Sequence, residues 1–136
     1  MESKAHIDLV NRVLIYVKER IPESSYELIH CDSNGRNSEV RVMGNFVPDI
    51  YYTDGDVLII GEAKTLDDFE RKHSRDQFDA YIKECQIFSG TSMLIVAVPW
   101  QLMITAKNYF KRLKQRESWS FDVVIINDMG KVMELE

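Results

Sequence analysis

Asp49, Glu62 and Lys64 are two acids and a lysine on a strand pair that is otherwise apolar. The run Val47-Pro48-Asp49-Ile50-Tyr51-Tyr52 leads into Thr53-Asp54-Gly55-Asp56 and then Val57-Leu58-Ile59-Ile60-Gly61-Glu62-Ala63-Lys64. Asp54-Gly55 between two β-rich runs is a two-residue hairpin signal. With that turn, Thr53 faces Asp56 and Asp49 faces Ile60. Side chains alternate along a strand, so Ile60, Glu62 and Lys64 share a face with Asp49. Glu62 is then the diagonal neighbour of Asp49, roughly 7–8 Å away. Two carboxylates at that spacing reach one divalent ion, with Lys64 beside them at the open strand end. The chemistry such residues support is metal-assisted hydrolysis.

The elements that must position this hairpin follow from hydrophobic spacing. Ile7, Val10, Val13, Leu14 and Val17 recur at helical intervals over residues 5–20, and Ile21-Pro22 closes that helix. Residues 26–31 read as a short strand, 32–37 as a loop by composition, and 39–43 as an alternating strand. After the hairpin, Thr65 with Asp67 and Asp68 resembles a helix cap followed by first-turn acids. The helix it starts should run to about Phe88, with Phe78, Tyr81, Ile82, Cys85 and Phe88 facing the core, and Ser89-Gly90 should end it. Residues 93–98 form a continuous apolar run, as in a strand covered on both faces. A second amphipathic helix over 102–115, a buried strand over 121–127 and a weak one over 131–135 complete the chain. The order α-β-β-β-α-β-α-β describes an α/β fold with a central mixed sheet flanked by helices.

Size and composition bound what this can be. The 136 residues suit one domain spanning 1–136, and 45% hydrophobic with 29% charged residues is ordinary globular composition. No apolar stretch is long enough for a bilayer, and the first residues lack a signal pattern. Cys31 and Cys85 stand apart, with no disulfide framework or metal-binding spacing, so both are expected as buried small hydrophobes in a cytoplasmic protein. The net charge of −5 does not favour nucleic-acid binding by the molecule as a whole. Cations are nevertheless clustered, at Arg71, Lys72, His73 and Arg75 and again at Lys107, Lys111, Arg112, Lys114 and Arg116. Phosphate contact by the first cluster is as reasonable as simple solvation, whereas solvation alone suffices for the second. Core packing suffices for Trp100 and Trp119.

Pro48-Asp49 and Glu62-Ala63-Lys64 on a hairpin after a first helix resemble the PD-(D/E)xK nuclease superfamily. Gln77-Phe78-Asp79-Ala80-Tyr81 on the following helix resembles the Q-x-x-x-Y element of its RecB-like branch. The resemblance covers roughly residues 5–100, and no single motif in it is specific; their joint order and spacing carry it. It implies a restriction-endonuclease-like core and a phosphodiesterase using Mg²⁺ or Mn²⁺. By the family pattern Asp49 and Glu62 hold the metal with the Ala63 carbonyl, and hard oxygen ligands suit such ions. Lys64 orients or helps deprotonate the attacking water, or stabilises phosphate charge. Gln77 steadies the site or touches substrate, and Tyr81 packs against the hairpin with its hydroxyl inward. Many family members carry a further glutamate on the first helix. Here the candidates by position are Glu2, His6 and Asp8, with His6 expected as a site neighbour more than as a ligand.

Two functions compete on these residues. One is a metal-dependent deoxyribonuclease whose Arg71, Lys72 and Arg75 contact nucleic acid, working as a homodimer or inside a larger nuclease complex. The other is a nuclease-fold module, catalytically weak, used for binding or assembly with a protein partner. The residues fit RNA as well as DNA. The loop at 32–37 is the local candidate for substrate contact, and Glu39 and Arg41 could reach the site, although nothing in the sequence fixes their direction.

Overall fold

A computed structural model of the chain describes residues 3–32, 42 and 45–136. The N-terminal helical spacing becomes α1 (Lys4–Lys18), whose first turn is capped by the Ser3 hydroxyl accepting from the His6 amide. Strands β1 (His30–Cys31), β2 (Ile50–Thr53) and β3 (Val57–Ala63) follow, then α2 (Lys72–Ile87) and β4 (Thr91–Val98). Helix α3 (Met103–Glu117), β5 (Asp122–Asn127) and β6 (Val132–Glu134) complete the order. The six strands form one open sheet in sequence order. It is antiparallel from β1 to β3, parallel from β3 to β5, and antiparallel again at β6. This is the expected α/β class with a mixed sheet flanked by helices.

Helices cover both faces, which is why β4 is apolar from Met93 onward. On one face α1 packs Leu9, Val13 and Val17 with Ile59, Ile95 and Val124. On the other, Phe78, Tyr81 and Ile82 of α2 and Phe110 of α3 pack with Ile60, Leu94, Val96 and Ile125. Gly61 lets α1 approach closely, because a Cβ there would come within 2.5 Å of Val13 Cγ1. That contact seats α1 over the end of β3 at which the acids stand.

The hairpin register differs from the expected one. Thr53 pairs with Leu58 and Ile50 with Gly61. The two-residue loop is Gly55-Asp56, with Gly55 at φ +96° and the Asp54 carboxylate accepting the amides of Asp56 and Val57 at 2.9 Å each. Asp54 thus acts as an acceptor at the loop's start and not as a central turn residue. Each strand shifts by one residue, so Asp49 stands opposite Glu62 and not diagonal to it. Face parity is unchanged, because the two shifts together preserve alternation.

Other boundaries differ for local reasons. Residues 26–31 are not one strand: Pro22 leads a 3₁₀ helix over Glu23–Leu28, and only His30 and Cys31 pair with β2. Thr65 does not cap α2. Its hydroxyl donates to Asp68 Oδ2 at 2.9 Å, buried Phe69 anchors the turn that follows, and the helix starts at Lys72. Cys85 is buried as expected, but Cys31 is only half-buried. Trp119 is a core residue, whereas Trp100 is 57% exposed and is not. Of the expected strand at 39–43 only Val42 is described, bridging Phe46. Glu2, Glu39, Arg41 and the loop at 32–37 beyond Asp32 lie outside the described residues.

Candidate active site

The site lies where β3 ends. Asp49, Glu62, Lys64 and Gln77 are all buried, a costly placement for three charged groups unless each is partnered. The partners are present. Asp49 Oδ2 accepts the Ala63 amide at 2.9 Å, a contact that the shifted register makes possible. The same oxygen lies 3.2 Å from His6 Nε2, brought in by the first turn of α1. Glu62 Oε1 accepts from the Asp49 amide at 3.3 Å and from the Tyr81 hydroxyl at 3.0 Å. Glu62 Oε2 lies 3.3 Å from the Lys64 ammonium, which also donates to Gln77 Oε1. Lys64 is held in turn by its amide, bonded to the Ala97 carbonyl at 2.9 Å as the sheet's last rung.

Gln77 and Tyr81 act from one face of α2, as residues four apart on a helix do. Gln77 meets Lys64 and Tyr81 meets Glu62. The first-helix residue the structure brings to the acids is His6. Asp8 is exposed and pairs with Lys4 at 3.0 Å, one helical turn away, and so does not join them.

The electrostatics follow from burial. Desolvation and the neighbouring Asp49 charge raise the Glu62 carboxyl to about 8, against the opposing pull of Lys64 and the hydrogen bonds from Tyr81 and Asp49. Burial and the Glu62 charge push the Tyr81 hydroxyl far above its ordinary range, so it remains a donor. A carboxylate this reluctant to ionise lacks enough positive charge nearby. A hard cation would supply it, and the donors on hand are oxygens: the two carboxylates and, by sequence position, the Ala63 carbonyl. Among the described residues, no three His, Cys, Asp or Glu side chains gather in metal-holding geometry. The fit is therefore to two carboxylates with the remaining ligands supplied by backbone, water or substrate.

An open groove of about 700 Å³ borders the site at His6. Ser3 and Ala5 of the N-terminal segment, the loop from Thr65 to Asp68, Arg71 and Pro99 line its walls. The sequence reads Thr65, Asp67 and Asp68 as a helix start and not as a groove wall, and Pro99 is not singled out; the available signal was their position just after Lys64 and just after β4. Of the three expected nucleic-acid contacts, only Arg71 reaches this groove, and its Nε donates to the Asp67 carbonyl at 2.9 Å. Lys72 is exposed and paired with Asp76 at 2.9 Å. Arg75 lies against α3 in a different cleft. Among the described residues no helix is long and apolar enough to cross a membrane.

No known family, curated protein or solved structure matches the chain.

Proposed function

We propose that this protein is a metal-dependent nuclease that hydrolyses phosphodiester bonds, in DNA before RNA, on a restriction-endonuclease-like core. The observation that carries the reading is the abutment of Asp49 and Glu62 with Lys64 pinned beside them by Gln77. Asp49, Glu62 and the Ala63 carbonyl would hold Mg²⁺ or Mn²⁺. Bound there, such an ion would polarise the phosphoryl oxygen and acidify the attacking water. Lys64 orients that water or offsets charge building on the phosphate, and Gln77 sets the direction of its ammonium. Tyr81 and the Asp49 amide keep Glu62 turned toward Asp49. The groove beside His6 admits the backbone, and Arg71 on its wall takes a phosphate.

The test is incubation of the folded protein with single-stranded, duplex and branched DNA in Mg²⁺ and in Mn²⁺. Cleavage that Lys64→Ala abolishes is the expected result. Intact DNA in every form, with Mn²⁺ present and circular dichroism unchanged, would overturn it.

One observation favours a second reading. The Lys64 ammonium already neutralises part of the acid pair at 3.3 Å, as it would in a nuclease fold kept for assembly with a protein partner. That module would bind Mn²⁺ weakly or not at all. Calorimetric Mn²⁺ binding lost in Asp49→Ala and Glu62→Ala decides against it.

A further inference from the structure

Helix α2 and the turn before it meet α3 through aromatic rings, Phe78 and Phe110 lying 5.0 Å apart between centroids and Phe69 and Tyr109 5.9 Å apart. Beside these rings opens a cleft of about 230 Å³ lined by Phe69, Glu70, Arg75, Thr105, Tyr109 and Arg112. It brings together guanidinium groups from two different helices. Neighbouring Arg71 and Lys72 are paired with Asp68 and Asp76. Arg75 and Arg112 are in no ion pair among the described residues. Two like charges that line one small cleft repel each other, and an anion between them would offset that repulsion. Glu70 is the one carboxylate among the lining residues, against two arginines, and Asp79 and Glu117 act on Tyr109 from beyond the lining. Thr105 and Tyr109 add hydroxyl donors. The same face of α3 continues in a second concavity, where Lys111 and Asn108 join Thr105 and Arg112.

The position relative to the acids narrows the ligand. The loop after Lys64 borders both depressions: Thr65 to Asp68 wall the groove beside His6, and Phe69 and Glu70 wall this cleft. Gln77 and Arg75 lie on opposite sides of α2, about one helix width apart, ~10 Å. That span exceeds the size of one phosphate group. An anion repeated along a chain meets both depressions at once, which a single phosphate does not.

We propose that the Arg75–Arg112 cleft binds a backbone phosphate of a nucleic-acid strand, to one side of the bond presented to Lys64. The placement rests on the nuclease reading; the phosphate site itself does not. The guanidinium groups clamp the phosphate oxygens, and the strand crosses the 65–70 loop to the groove at His6. The contact is to phosphate, so it positions the strand without reading its sequence.

The experiment is fluorescence anisotropy of labelled deoxy- and ribo-oligonucleotides with Ca²⁺ present, using wild type, Arg75→Ala/Arg112→Ala and Arg75→Lys/Arg112→Lys. Lys18→Ala/Lys131→Ala removes the same net charge elsewhere. The expected result is a tenfold or greater loss of affinity in the alanine pair. Its salt slope should fall by about 1, because both guanidinium groups act on one phosphate. The lysine pair should recover part of the affinity, and the control should keep all of it. Whichever oligonucleotide shows the larger loss identifies the strand. Wild-type affinity in the alanine pair, equal loss in the control, or no binding of either oligonucleotide by wild type at low salt would each overturn the proposal. Mn²⁺ calorimetry on the same proteins separates the two readings. Arginine-dependent oligonucleotide binding without Mn²⁺ binding retires the nuclease and keeps the phosphate site. The reverse pattern keeps the nuclease and retires the site.

Discussion

Tyr81 donates its hydroxyl hydrogen to Glu62 Oε1 at 3.0 Å, and its ring is wholly buried between α2 and the sheet. The ring's packing sets the direction of the bond, so Glu62 is oriented by the core itself. Burial and the Glu62 charge raise the hydroxyl's pKa, which favours its role as a donor. The same burial makes Glu62 slow to ionise, and the Tyr81 bond partly offsets that.

Tyr81→Phe should therefore separate orientation from packing. The ring stays, so the cost in stability should be about 1 kcal/mol, the net worth of one hydrogen bond. Mn²⁺ affinity should fall about tenfold or more, as when a partner that orients a ligand is removed. Calorimetry beside a urea melt checks both. Equal affinity in the two proteins would show that Tyr81 only fills space.

Glu62 makes metal binding depend on pH. With its carboxyl raised to about 8, it is largely protonated at pH 7 before a cation arrives. Mn²⁺ should then expel close to one proton per site at pH 7 and none well above pH 8. Titrations in buffers of different ionisation enthalpy measure that proton directly. Proton release that does not change between pH 7 and 9 would contradict the shift.

The same shift affects stability in the metal-free protein, with a definite sign. The folded carboxyl holds its proton more tightly than the unfolded one, whose ordinary value is 4.5. Its contribution is thus fully present below 4.5 and is lost as pH rises towards about 8. Compared with Glu62→Gln, wild type should lose stability across that window, and saturating Mn²⁺ should reverse the loss. Parallel melting curves for the two proteins from pH 5 to 8 would rule this out.

Gly61 tests how α1 is seated. A methyl there would lie 2.5 Å from Val13 Cγ1 and 3.2 Å from Ile50 Cβ, both on stiff β-branched side chains. Gly61→Ala should cost about 1–3 kcal/mol, as overpacked cores do. Because α1 carries His6, the displacement should also weaken Mn²⁺ binding. Pairing it with Val13→Ala should restore both.

His6→Ala probes the contact from the first helix to the acids, 3.2 Å from Asp49 Oδ2. As a neighbour that orients Asp49, its loss should lower Mn²⁺ affinity several-fold, and much less than Asp49→Ala does. Affinity lost to the level of Asp49→Ala would make His6 a ligand.

Much of this arrangement is legible in residue order, because it depends on local periods. Alternation places Asp49, Glu62 and Lys64 on one face whichever residues make the turn, since the register slips by one residue on each strand. Helical spacing likewise puts Gln77 and Tyr81 on one side of α2, and the apolar runs at 93–98 and 121–127 require a sheet covered twice. The tertiary structure decided what depends on distance and burial. Asp54 serves the turn as an acceptor, which sets Asp49 directly against Glu62. Phe69 is drawn into the core, which delays α2 until Lys72. Gly61 admits α1, which brings His6 to Asp49. Arg75 and Arg112, thirty-seven residues apart in the chain, meet only because α2 and α3 pack through their aromatic rings. Local chemistry repeats along the chain and can be read there; a contact between distant residues comes from close packing, which no local period encodes.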